Sequence, residues 1–550
     1  MNRDRILSTL CQLCALPSVT ESRGEVEAAQ GIADMLLRMD YFKAHPEQVI
    51  VHDIDGDAHG RRFTTALMRG GRKSGKTVIL YGHFDVVGVS EFGILQNAAF
   101  DPMRYTELLR EGHIVLDADA QRDLDSGDWL FGRGVCDMKF GLATCMEVLH
   151  QAEERLDRFE GNLLFLAVCD EENNSAGMLA SLPYLKDLRD RENLTYEGII
   201  VTEPYLSHEG DPEKLRRLHV ASVGKLLPLF YCVGRSGHTM DPYGCLSPNL
   251  LTSKIVEKLE QNPAFCDSAG EFFSPAPLCL KQTDTKESYT VQIPVSAYAY
   301  FNLMTYRRNP DTVLAEMLSL ARDSFAEVLD NLQARRRAFE AVSGLSMAEK
   351  PDFQPKVLTW GELCALCAEA HGAAFTAHMA DFAANCPERD LRALTVKVIA
   401  EAHRFCPDRD PMIIVCFAPP YYPNSPRLPE GGVIERLCGH LAEVGAERYG
   451  ETFKIDYTFD AISDMSYMNI DPAIRPEDLE GSFPLWGSRY SVPIDLIRDL
   501  SLPMITIGCR GKDLHRHTER AQLSYSLDIA APMTWEAVQW LLTGPHPAGQ

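Results

Sequence analysis

Three short stretches constrain this chain more than any others: V-I-L-Y-G-H-F-D at 78–85, F-G-R-G-V-C-D-M-K at 131–139 and L-L-F-L-A-V-C-D-E-E at 163–172. Two are apolar runs that end in residues able to bind a metal, and the third is a glycine-flanked turn. Unbroken apolar runs such as 77–80 and 163–168 read as strands buried on both faces. Parallel α/β sheets carry their chemistry at the carboxyl ends of such strands. His83 and Asp85 stand just past one strand end, and Glu171 and Glu172 just past another. A metal site is expected there.

The 550 residues exceed what one hydrophobic core serves, so two or more domains are expected. Segments 61–68 and 77–80 read as strands, and the glycine-rich 70–75 between them reads as a hairpin loop without the ending of a phosphate loop. Beyond Asp211 the pattern changes. A strand at 221–233, mostly strand at 289–306 and a long helix at 312–338 lack the strand-end acids of the first part. They predict a smaller domain inserted into the first, with boundaries at 1–225, 226–358 and 359–550. Helices are expected at 363–370 and 391–402, and a buried strand at 411–418.

The formal charge of -24 argues against nucleic acid and against an anionic membrane as partners. No run approaches 18 apolar residues, and residues 1–10 have no apolar core, so a soluble, cytoplasmic protein is expected. Sixteen cysteines are scattered through apparent strands and helices, which fits buried free thiols better than an oxidised framework.

The chemistry-bearing residues leave alternatives open one by one. His83 and Asp85 alternate on an extended segment, where the carboxylate can steer an imidazole that binds metal. Asp137 can point inward from its turn or cap the helix that follows. Glu171 and Glu172 can share one site, one as ligand and one as proton acceptor, or form a solvated acidic loop. Glu203 follows a strand in T-E-P, and His515 and His517 follow another. Two nitrogen and several carboxylate donors suit zinc, with manganese or cobalt as alternatives. If Asp137 bridges, two ions would lie about 3.5–4 Å apart.

The order of these motifs resembles the M20 family of metallopeptidases and amidohydrolases, and the long form ending in G-K-D-x-H-x-x-T-E is similar to its RocB subgroup of arginine utilization proteins. The resemblance implies a zinc-exopeptidase-like fold, a mixed sheet sandwiched by helices, with the inserted α+β domain as a lid that often dimerises. It further implies two divalent metal ions. His83 would bind one ion with Asp85 steering it, Asp137 would bridge, Glu172 and Glu203 would complete the shells, and Glu171 would be general base and then acid. His515 is preferred to His517 as a ligand because Glu519 lies four residues on, as in the family's H-x-x-x-E. His238, in G-R-S-G-H, resembles the lid histidine that stabilises a developing oxyanion. Asp464, in S-D, resembles the segment near the substrate, and Arg307 would meet a substrate carboxylate, with Arg308 beside it as the other choice.

The implied substrate is a small peptide or N-acyl amino acid. A non-hydrolytic metal enzyme, or a catalytically silent binding protein for an amino-acid-like ligand, would use much of the same set. A nicotinamide dehydrogenase lacks its G-x-G-x-x-G after a strand. The sequence departs from compact members in a longer connection between His83 and Asp137 and in extra helical sequence before Pro411. Tyr421, Tyr422, Trp486 and Arg489 could line an elaborated pocket or serve ordinary packing.

Overall fold

The computed structural model describes the chain except residues 208–209, 270–271, 348–352, 426–427, 458, 460–461 and 545–550. The apolar run at 77–80 lies in the strand Arg72–His83, at the centre of a six-stranded sheet. It pairs in parallel with Glu160–Val168 on one side and Thr195–Val201 on the other, and Met504–Thr506 extends the parallel set. Arg62–Arg69 and then Val49–Asp53 add antiparallel strands beyond Glu160–Val168. Val78, Ile79, Leu80 and every residue from Leu163 to Val168 have no solvent exposure, because helices cover the sheet. Lys139–Glu153 and Ala531–Thr543 pack on the central strand, and Arg23–Leu36 packs on Arg62–Arg69.

The hairpin expected at 70–75 is not formed. Arg62–Arg69 and Arg72–His83 both pair with Glu160–Val168, which lies between them. The glycines instead cross the edge of that inserted strand, where the Gly70 amide donates to Gly161 O and the Gly71 amide to Leu156 O. A turn-rich link between two strands says nothing about a third strand arriving eighty residues later.

The chain divides into two compact units. The first comprises Met1–Ser222, Ser425–Ile470 and Asp495–Gln550, and the second Val223–Asn424 and Asp471–Ile494. The inserted unit thus runs well past the expected return at 359. The reason is strand pairing: Met412–Tyr422 lies antiparallel beside Gly224–Val233 in the middle of the second unit's five-stranded sheet. Ser296–Thr305 and Leu278–Asp284 continue that sheet on one side, and Val357–Thr359 closes the other. The 34-residue helix Pro310–Ser343 packs against Pro248–Leu259. Trp360–His371, Ala373–Asn385 and Leu391–Phe405 pack on one another, the first opened by a capping box between Thr359 and Glu362.

Arg489 is spent on this helical addition, donating to the carbonyls of Cys386 (3.1 Å) and Glu388 (3.2 Å) at the end of Ala373–Asn385. Tyr421 and Tyr422 are buried, and Trp486 meets Phe483 at a tilt and Tyr490 edge-on. These residues are packing. All sixteen cysteines are free, and among the described residues no helix is long and apolar enough to cross a membrane.

Candidate metal centre

The four parallel strands of the six-stranded sheet end side by side, and each end delivers part of one cluster. Arg72–His83 ends on His83, Glu160–Val168 runs into Asp170, Glu171 and Glu172, and Thr195–Val201 leads to Glu203. Met504–Thr506 leads into the loop of His515. The short strand Trp129–Phe131, paired with Arg520–Gln522, brings the Asp137 turn alongside that loop.

Two trios of donor atoms result, each with its atoms within 4.8 Å of one another: His83, Asp137 and Glu203, and Asp137, Glu172 and His515. Asp137 belongs to both. Its Oδ1 lies 3.1 Å from His83 Nε2 and its Oδ2 lies 3.3 Å from His515 Nε2. His515 Nε2 is also 3.0 Å from Glu172 Oε2. Glu203 Oε1 is 3.9 Å from His83 Nε2, buried, and without a hydrogen-bond partner among the described residues. A buried carboxylate oxygen left unpaired is costly, and a cation between the trio members would satisfy it. The donor set of two imidazoles and three carboxylates therefore fits a pair of borderline metal ions.

Glu171 lies among these groups but in neither trio. Its Oε2 is 3.9 Å from His83 Nε2. Asp85 fixes both glutamates through the backbone: Oδ1 accepts the Glu171 amide at 3.1 Å and Oδ2 the Glu172 amide at 3.2 Å. It is the carbonyl of Asp85 that meets His83 Nδ1 at 3.0 Å, with the carboxylate at 3.5 Å. Asp85 thus orients the histidine and also grips the strand end that carries the acids. Asp170 turns away: at φ +65° it sends its carboxylate to the buried Arg61, while Glu25 accepts its amide at 2.9 Å. That left-handed residue lets the next two side chains enter one site.

The charges are strongly coupled. Burial pushes Glu203 up to about 8 against the pull of His83, and the negative Asp137, Glu172 and Asp464 add to the rise. Burial, offset by His83 and reinforced by Glu203, Asp464 and Glu172, raises Glu171 well above the carboxylate range. Burial would raise Asp137 as well, but hydrogen bonds from His515 and His83 hold it low. His515, bonded to Asp137 and Glu172, is pushed up to about 10. Without metal, protons on the imidazoles and raised acids thus hold the cluster together at neutral pH. These donors must shed them to bind a cation, so metal uptake is expected to release protons, and apparent affinity to rise with pH until Glu203, at about 8, and His515, at about 10, have lost theirs. Calorimetry in buffers of differing ionisation enthalpy counts those protons; a pH-independent affinity would contradict this electrostatic picture.

Residues given no such role in the sequence hold these donors in place. Glu519, singled out there only for its spacing, is buried, and its Oε1 accepts the amides of Gly134 (2.8 Å), Cys136 (3.3 Å) and Asp137 (3.4 Å). Its other oxygen pairs with the buried Arg133, which also pairs with Glu91. Gly508 must lack a side chain, because a Cβ there would fall 1.8 Å from the carbonyl oxygen of Glu203. The arginine of G-R-G before Asp137 and the glycine of I-G-C after the last parallel strand were the available signals.

Asp464 is buried in the first unit, where the Tyr81 hydroxyl donates to its Oδ2 and its Oδ1 has no hydrogen-bond partner among the described residues. His517 is in neither trio, and its carbonyl accepts the Tyr105 hydroxyl at 2.7 Å. His238 is exposed on the second unit, its Nδ1 accepting the Met240 amide at 3.1 Å. Arg307 is also exposed there, its amide donating to Asp267 Oδ2 at 2.9 Å.

Metal-capable donors at the carboxyl ends of parallel strands, one carboxylate shared between two trios, and a buried glutamate outside both are the arrangement of a metallohydrolase, the class to which its family belongs. The chain belongs to peptidase family M20/M25/M40, whose family model matches residues 114–474. Over their lengths it is 31% identical to protein YqjN and 31% identical to protein RocB, both of Bacillus subtilis (strain 168), covering all of this chain and 98% of each relative. Among solved structures, aminopeptidase PepT from Bacillus cereus ATCC 10987 shares the fold with a TM-score of 0.52 at 13% identity, covering 98% of each chain.

Proposed function

We propose that this centre cleaves an amide bond in a small peptide or N-acyl amino acid, using two divalent ions, zinc foremost and manganese or cobalt also suited. The observation that carries the reading is Glu171, a buried acid beside both ligand trios and a member of neither. Ligand binding alone has no use for it. Bound ions would lower the pKa of a water and polarise the scissile carbonyl. Glu171, held by Asp85 through its amide, takes a proton from the attacking water and returns it to the leaving nitrogen.

His83, Asp137 and Glu203 would hold one ion, and Asp137, Glu172 and His515 the other. Asp464 offers its unmatched Oδ1 to a polar group of the substrate, and the exposed Arg307 offers a guanidinium to its carboxylate. The second unit acts as lid and as the face of a homodimer. Free thiols throughout support a reducing, cytoplasmic setting. His238 donates to the developing oxyanion: with Nδ1 accepting from the Met240 amide, the neutral ring carries its proton on Nε2. His238→Ala is expected to lower kcat about 10²–10³-fold with metal content unchanged; loss of metal would make it a ligand.

Metal analysis of the purified chain, paired with a mass-detected screen over dipeptides and N-acyl amino acids, tests the reading. Two ions per chain with cleavage that depends on them is the expected result. Metal without cleavage of any member would move the centre to a non-hydrolytic or silent role, and failure to take up zinc would remove the centre itself.

A further inference from the structure

The long connection between His83 and Asp137 contains the helical segments Ser90–Ala98, Pro102–Arg110 and Ala118–Ser126. They enclose a small apolar core of their own, in which Phe92, Tyr105, Leu124, Trp129 and Phe131 are buried together. Polar groups tie this addition to the loop of His515. Arg520 is fully buried, and its Nε donates to Asp123 at 2.7 Å and its Nη2 to Asp119 at 2.6 Å, both on Ala118–Ser126. Its remaining nitrogen, Nη1, pairs with Asp513 and donates to Thr518 O at 3.0 Å, so one guanidinium spans the loop on either side of His515. Lys512 Nζ adds 2.8 Å contacts to Asp119 and Asp123, and the Tyr105 hydroxyl donates to His517 O.

His515 needs such a hold. Its side chain is 50% exposed, and it and Asp513 both sit in the left-handed backbone region, at φ +63° and +55°. The only ring contacts described for it are to Asp137 and Glu172, with which it would share an ion. The unshared members of the other trio have different supports: His83 and Glu203 stand at the ends of central strands, away from this loop, while the shared Asp137 turn is held by Glu519. A buried arginine satisfied by three carboxylates in a fork geometry is a rigid brace that lysine cannot reproduce.

We infer that Arg520 is a positioning residue that clamps the His515 loop to the added helix Ala118–Ser126 and thereby sets the affinity of one metal position, not of both. This rests on reading the two trios as a metal pair. The test is calorimetric titration of the metal-stripped full chain with zinc. Arg520→Met is expected to keep one ion at wild-type affinity and to bind the other about 10–100-fold more weakly, the usual consequence of losing support behind a ligand. Arg520→Lys should not restore it. Asp123→Asn, which loosens the helix side of the clamp and leaves the loop side intact, should weaken the same ion by a smaller factor.

Unchanged affinities for both ions in Arg520→Met, or an equal fall in both, would overturn the clamp. Should Arg520→Met not fold, Asp123→Asn decides alone: selective weakening supports the clamp, and wild-type binding of both ions refutes it. Wild-type chain that takes up no zinc would instead overturn the two-metal reading on which the clamp depends.

Discussion

Glu171→Gln is expected to bind metal as the native chain does and to turn over about 10²–10⁴-fold more slowly, the contribution general acid–base catalysis ordinarily makes. The substitution keeps the shape of the side chain and the amide that Asp85 Oδ1 holds at 3.1 Å. It removes only the capacity to exchange a proton. In the metal-free chain burial and the neighbouring negative charges raise the proton affinity of Glu171; bound cations would lower it and leave a carboxylate able to take a proton from water and give it back. Glu172→Gln, one residue on, is the control: Glu172 contacts His515 and belongs to the second trio, so that variant should lose an ion. Kinetics on the best substrate from the screen, with metal content measured on the same samples, separates the two. If Glu171→Gln loses metal and Glu172→Gln does not, the two roles are exchanged.

Much of this was legible in the sequence because strand burial and strand-end chemistry are local. The runs at 77–80 and 163–168 are apolar on both faces, and the residues just beyond them, His83, Asp85, Glu171 and Glu172, lie where such strands expose their ends. The path of the chain was harder to read. Gly70 and Gly71 look like a hairpin until Glu160–Val168 is known to lie between the flanking strands, and no local signal carries that. The return from the inserted unit was misjudged for the same reason, since Met412–Tyr422 is apolar in either unit and only its partner Gly224–Val233 assigns it. The supporting shell was least visible. Glu519, Arg133, Arg61 and Arg520 are charged residues that composition would assign to the surface, and they are buried only because each meets a partner far away in sequence. The three-acid run at Asp170 illustrates the limit: its partial neutralisation by Arg61 depends on a side chain more than a hundred residues earlier.

Asp137 should be the single most damaging position for the metal centre, because it alone serves both trios. Removing Glu203 or His515 withdraws one donor from one ion; Asp137→Ala withdraws a donor from each and opens the gap between His83 Nε2 and His515 Nε2, which its two oxygens now span at 3.1 and 3.3 Å. Zinc content is expected to fall from about two ions per chain to below one, where Glu203→Ala keeps about one. Stability provides an independent reading. An ion that binds only the folded state adds about 4 kcal/mol when its free concentration is 1,000 times its dissociation constant, so native protein should melt at markedly higher temperature with zinc than without. Asp137→Ala should lose nearly all of that increment, and Glu203→Ala only part. Comparing the zinc-induced change within each variant cancels what the substitution does to the metal-free fold, where Asp137 also pairs with the two protonated histidines. An increment that Asp137→Ala loses no more fully than Glu203→Ala would mean that Asp137 does not bridge, and the two trios would then have to be treated as separate sites.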